Sequence, residues 1–106
     1  MVENRQFLEA IEQFYAPRAT MQENGKPPRT GLPALLENER KMLGSVQEWH
    51  VCRAESSLLE GINTAIHWVF EFTDKAGHHH RLDEVALQEW SGDKIMHERF
   101  FYDPNI

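Results

Sequence analysis

The order of elements in this 106-residue sequence predicts an α+β domain whose amino-terminal helices pack on a strongly curved antiparallel sheet. Two observations carry that reading. Residues 4–43 show apolar positions at helical spacing, interrupted by a Pro/Gly-rich loop, whereas residues 46–102 are rich in β-branched and aromatic residues with period-two alternation. The length fits one core and leaves no room for a second, so residues 1–106 are read as a single domain.

Phe7, Leu8, Ile11 and Phe14 recur along Asn4–Phe14 with Glu9, Glu12 and Gln13 between them, the pattern of a short amphipathic helix ending before Pro17. Arg18–Glu23 reads as a brief strand. The run from Asn24 to Gly31 holds two prolines and two glycines, which break both helix and strand, so it is a loop. Leu35, Leu36, Met42 and Leu43 predict a second helix over Pro33–Leu43, closed by Gly44.

Four strands follow: Val46–Ala54, Leu58–Thr73, Arg81–Trp90 and Lys94–Tyr102. The first pair is expected to turn near Ser56 and Ser57. Asp74–Gly77 and Ser91–Asp93 are short, polar and Gly-containing, so the last three strands form an antiparallel meander. Alternation places Ile62, Thr64, Ile66, Trp68, Phe70 and Phe72 on the face that meets the helices. Val69, Val85, Leu87, Ile95 and Phe101 fall on the outer face, which predicts a homodimer formed through that apolar surface.

Composition narrows the function. The net charge of −6 and the lack of Lys/Arg clusters argue against nucleic acid or an anionic membrane as partner. No apolar run approaches the ~20 residues of a bilayer span, and the start, MVENRQFLEA, has neither a basic segment nor a continuous apolar one. With Cys52 as the lone cysteine, read as a small buried hydrophobe, a cytoplasmic location is expected.

His78, His79 and His80 are consecutive at a hairpin mouth and point in different directions, and no HxxxH or carboxylate spacing accompanies them, so no metal site is expected. Phosphate loops, Ser-His-Asp order and CxxC are likewise missing, so no cofactor is expected.

The segments FYAPRATMQENGKPPRTG, Phe14 to Gly31, and WSGDKIMHERFFYDP, Trp90 to Pro104, resemble the SnoaL-like and ketosteroid-isomerase-like members of the nuclear-transport-factor-2-like superfamily. The resemblance implies a cystatin-like cone whose sheet and helices enclose a pocket for a small apolar ligand. That family hosts isomerases, cyclases, hydrolases, dehydratases and noncatalytic binding modules, among which fold does not choose. The first helix is shorter here than in most members, which implies a less complete roof or a partner subunit that completes it.

Two acids are candidate catalytic residues. The resemblance places Glu23 where the isomerases carry their carboxylate base; as bare sequence, Glu23-Asn24-Gly25 reads as a solvated turn. The isomerases' second acid would fall near Ala86, so the resemblance does not extend to ketosteroid isomerisation itself. Glu98 shares a strand face with Met96, Phe100 and Tyr102, an acid in an otherwise apolar stripe. It serves either as a proton carrier or as a structural group, paired with an arginine or bonded to Trp68, Trp90 or Tyr102. The expected pocket lining is Tyr15, Ile66, Trp68, Phe70, Glu84, Gln88, Trp90, Phe100 and Tyr102, with Asp83, Val85 and Leu87 replacing Glu84 and Gln88 if the fourth strand slips by one residue. The leading function is a small-molecule-binding protein acting as a cofactor-independent isomerase, cyclase or hydrolase through a pocket carboxylate. The alternative is a noncatalytic dimeric module whose cavity is filled by its own aromatic side chains.

Overall fold

A computed structural model describes residues 1–105: a turn of 3-10 helix at Val2–Asn4, then α1 (Phe7–Phe14), β1 (Tyr15–Glu23), β2 (Arg29–Thr30), α2 (Leu32–Gly44), β3 (Val46–Glu60), β4 (Asn63–Asp74), β5 (His79–Ser91) and β6 (Lys94–Phe101). The first helix begins three residues later than its periodicity suggests because Arg5 adopts a left-handed backbone, φ 63° and ψ 27°, that no α-helix continues. It buries Phe7, Ala10 and Ile11. Gly31 caps α2 with φ 92°, a conformation costly for any residue with a Cβ, and its carbonyl accepts the Leu35 amide.

The strands form one six-stranded sheet in the order β2-β1-β6-β5-β4-β3. β3 to β6 form the antiparallel meander that the connectors predict, but β1 runs parallel to β6, so the sheet is mixed rather than wholly antiparallel. The β1–β6 register breaks between Tyr15 and Thr20, around Pro17, which has no N–H to give to a ladder. The β3–β4 hairpin does not turn at Ser56 and Ser57. β3 continues to Glu60, and the chain reverses at Gly61, φ 59°, and Ile62. Edge position lets β3 tolerate the serines, whose neighbourhood carries a bulge between Ala54 and Ser56.

α1 and α2 cover one end of the concave face. Ile11, Ala16, Ala19, Met21 and Leu35 form the core beneath them, with Leu36, Met96 and Phe100 packed against it. Leu35 is wholly buried, and its truncation to alanine would cost about 3 kcal/mol.

The outer face is less apolar than alternation alone suggests. Val69 is buried within this chain, between its cross-strand neighbours Arg53 and Asp83. A bulge between Glu89 and Trp90 brings Ile95 opposite Trp90 and Tyr15, and its side chain is buried as well. Val85, Leu87 and Phe101 remain exposed, at 40%, 43% and 40%. Val85 lies opposite Phe101, and Leu87 pairs with Ala65, which in turn pairs with Leu58 on β3.

Candidate functional site

Between the concave sheet face and the helices lies a cavity of about 520 Å³. Antiparallel pairing lays its floor in rows. Gln88 sits between Thr64 and Glu98, Ala86 between Ile66 and Phe100, and Glu84 opposite Trp68. The pairing thereby settles which face of β5 turns inward, that of Glu84 and Gln88. Trp68 and Phe70 stack at 5.7 Å and Trp49 packs on Phe72 at 5.3 Å along the aromatic end, with Phe7 of α1 against Trp49 at 5.0 Å.

Glu98 projects from β6 into this wall and is 3% exposed. No cation pairs with it among the described residues. The Tyr15 hydroxyl donates to its Oε1, and the Gln88 amide donates to its Oε2 at 2.6 Å. The sequence offered an arginine, Trp68, Trp90 or Tyr102 as its structural partners, and none of these is bonded to it. Burial drives the carboxyl up to about 7 against the opposing pull of the two donors. Tyr15, the first residue of β1, reaches Glu98 because the parallel ladder pairs it with Ile95, three residues before Glu98 on β6. Its phenol is pushed well above the usual range by burial and then by the charge of Glu98.

Two further carboxyls line the cavity without any hydrogen bond or ion pair among the described residues. Glu84 on the floor is raised to about 8, first by burial and then by Glu98 and Glu39. Glu39 descends from α2 and is raised to about 7, again mainly by burial. Sequence reading missed Glu39. The signal was present, because Leu35, Glu39 and Met42 follow one another at i, i+4 and i+7 on the inward stripe of α2.

Glu23 lines the cavity at its exposed rim, where it pairs with Arg29 at 3.2 Å and accepts the Tyr102 hydroxyl at 3.2 Å. Its side chain is 31% exposed, so it is neither the free turn nor the deep acid that the sequence left open. Tyr102 therefore belongs to Glu23 and not to Glu98. Ile66 and Trp90 are not among the lining residues. Ile66 is half-buried opposite Ala86, and Trp90 turns its indole nitrogen to Thr64 at 3.0 Å.

His78 and His80 both approach Asp74, His78 at 3.7 Å, while His79 turns to another acid. His80 bonds Asp74 at 2.8 Å, His79 approaches Glu71 at 3.5 Å, and no group of three or more potential ligands converges among the described residues. No helix among them is long and apolar enough to cross a membrane.

No protein-family profile matches the sequence, and no curated protein matches it. Solved structures do. A candidate SnoaL-like polyketide cyclase from Mesorhizobium loti, 26% identical, superposes with a TM-score of 0.84 over 94% of this chain and 88% of the other. The chain has the nuclear-transport-factor-2-like fold. A protein of ketosteroid-isomerase-like fold from Catenulispora acidiphila, solved with trimethylamine, gives a TM-score of 0.81 at 14% identity, covering 93% of this chain and 77% of its own. TerC, co-crystallised with polyporic acid, gives 0.80 at 15% identity over 95% and 82%.

Within this fold the short first helix does not abolish the cavity. Val2, ahead of α1, joins Phe7 in its wall, and α2 supplies Asn38, Glu39 and Met42 from above. The chain's own aromatic side chains leave the cavity open.

Proposed function

We propose that this domain binds a small, largely apolar carbonyl compound in the cone and catalyses a cofactor-independent proton transfer on it, of the isomerase or cyclase type, with Glu98 as the proton carrier. The observation that carries the reading is Glu98 itself, a buried, uncompensated carboxyl in a cavity wall, held at both oxygens by Tyr15 and Gln88.

A carboxyl balanced near neutrality exchanges protons in both directions with little driving-force penalty. The ionised Glu98 takes a proton from a carbon beside the substrate carbonyl, and the C–H electron pair moves into the enolate. Glu84, held neutral at pH 7 by its raised affinity for protons, donates a hydrogen bond to the oxygen on which charge develops. The proton then returns to another carbon, or the enolate carbon closes a ring on a second carbonyl whose oxygen takes the proton. Support comes from the aromatic walls, which suit a flat apolar body, and from the candidate polyketide cyclase from Mesorhizobium loti, whose fold coincides with this one.

The test is α-proton exchange in D₂O on a panel of aryl ketones and aryl 1,3-diketones, followed by NMR for the native chain and Glu98→Gln. The native chain is expected to accelerate exchange on at least one compound, and the substitution to remove about 10²-fold or more of it. Native and substituted chains that bind a panel compound equally, with no acceleration by either, would leave the noncatalytic binding module as the function.

A further inference from the structure

Behind Glu98 runs a chain of side chains that only one end can orient. The Trp90 indole N–H donates to Thr64 Oγ1 at 3.0 Å, the Thr64 hydroxyl donates to Gln88 Oε1 at 2.7 Å, and the Gln88 amide nitrogen donates to Glu98 Oε2 at 2.6 Å. An indole nitrogen can donate but never accept, so the direction is set at Trp90. With a Thr64 lone pair occupied by the indole, its single hydrogen goes to the Gln88 oxygen. The Gln88 amide group is then left facing the carboxylate. All three links cross neighbouring strands, from β5 to β4, back to β5 and on to β6, and Gln88 is 7% exposed. Sequence alternation had assigned Trp90 to the pocket wall, whereas the structure uses it one shell behind.

We infer that Trp90, Thr64 and Gln88 are positioning residues that dedicate the two oxygens of Glu98 to different tasks, Oε2 as a fixed acceptor and Oε1, beside Tyr15, as the only atom that gains and loses the proton. The inference rests on the reading of Glu98 as a proton carrier and adds to it where the proton sits. When Oε1 takes a proton, Tyr15 no longer has a carboxylate to donate to, and its hydroxyl is released toward the cavity it lines. The chain is also a dead end for protons, because the indole at its far end cannot accept one. The proton that Glu98 takes up therefore remains on the cavity side, available to the molecule that supplied it. Among the described residues the titratable groups coupled to Glu98 are Tyr15 from β1, Glu39 from α2 and Glu84 from β5, none of which is a link of the chain.

The test is spectroscopic, on the whole chain with ¹³C- and ¹⁵N-labelled side chains. In the native protein the Gln88 side-chain amide protons should shift with the same apparent pKa as the Glu98 carboxyl, and protonated Glu98 should show a single C=O stretching band. Thr64→Val removes the hydroxyl that orients Gln88. It should broaden or split that band and raise the Glu98 pKa by about one unit, because the charged form loses an aligned donor. Thr64→Ser, which keeps the hydroxyl, should restore both. If Thr64→Val fails to fold, Trp90→Phe supplies the same comparison from the far end of the chain. Gln88 amide protons that ignore the Glu98 titration, or a band and pKa unchanged in a folded Thr64→Val, overturn the inference. Because none of these readouts needs turnover, failure of the proton-carrier reading appears separately, as ketone exchange undiminished in Glu98→Gln.

Discussion

The Tyr15 hydroxyl and the Glu98 carboxyl meet across 83 positions of sequence, brought together by the parallel pairing of β1 against β6. Tyr15 donates to the charged form of Glu98 and so draws its pKa down against burial. Tyr15→Phe keeps the ring and removes that donor. The Glu98 carboxyl is then expected to titrate roughly one unit higher than its present value of about 7, observable by ¹³C NMR. A fall instead would mean that Tyr15 does not serve the charged form.

The raised acids make stability depend on pH in the direction opposite to ordinary salt-bridged carboxylates. Glu84 holds its proton to about 8 in the folded chain, against 4.5 when unperturbed. Between those values the folded state binds more protons than the unfolded one, so Glu84's contribution turns against folding as pH rises. Glu84→Gln should therefore melt higher than the native chain at about pH 8.5, by the equivalent of ~2 kcal/mol or more, and alongside it at about pH 4.5. Asp74 and Asp83, lowered chiefly by hydrogen bonds from His80 and His67, act below 3.8 and lie outside this window. Equal melting temperatures at the alkaline end would show that Glu84 is not desolvated.

Glu23 is expected to behave differently from Glu98. Its bond to Arg29 is at the rim, where solvent screens both groups, so Glu23→Gln should change stability by less than about 1 kcal/mol. Ketone exchange should fall far less than in Glu98→Gln. Comparable losses in the two variants, measured on the same compound, would move the proton carrier to the rim.

For the exposed row of Leu58, Leu87, Val85 and Phe101 we propose a second copy of the chain as the partner. Light scattering at tens of micromolar should give twice the 12.4 kDa chain mass, and Leu87→Arg should return it to one with the circular dichroism unchanged. A native chain that scatters as a monomer leaves this face without that role.

The sequence by itself determined the two helices, the four long strands after them and the inward face of β4, because periodicity and turn chemistry are local properties, but it read residues 24–31 as all loop and missed the two-residue β2, Arg29–Thr30, that pairs with β1 there. It also exposed Glu98 as an acid in an apolar stripe. It could not show what that acid touches: Tyr15 arrives through a parallel pairing between the two ends of the chain, and no local pattern encodes which strands become neighbours. Position along β3 misled for a related reason, since Ser56 and Ser57 look like a turn but lie in an edge strand that needs no buried face there. At Trp90 and Ile95 a single bulge displaced the alternation, taking Ile95 off the outer face and turning the indole to Thr64. Tertiary structure alone decided that Glu39 joins Glu84 and Glu98 around one cavity, because the spacing of α2 marks an inward stripe but says nothing of the acids waiting on the sheet below it.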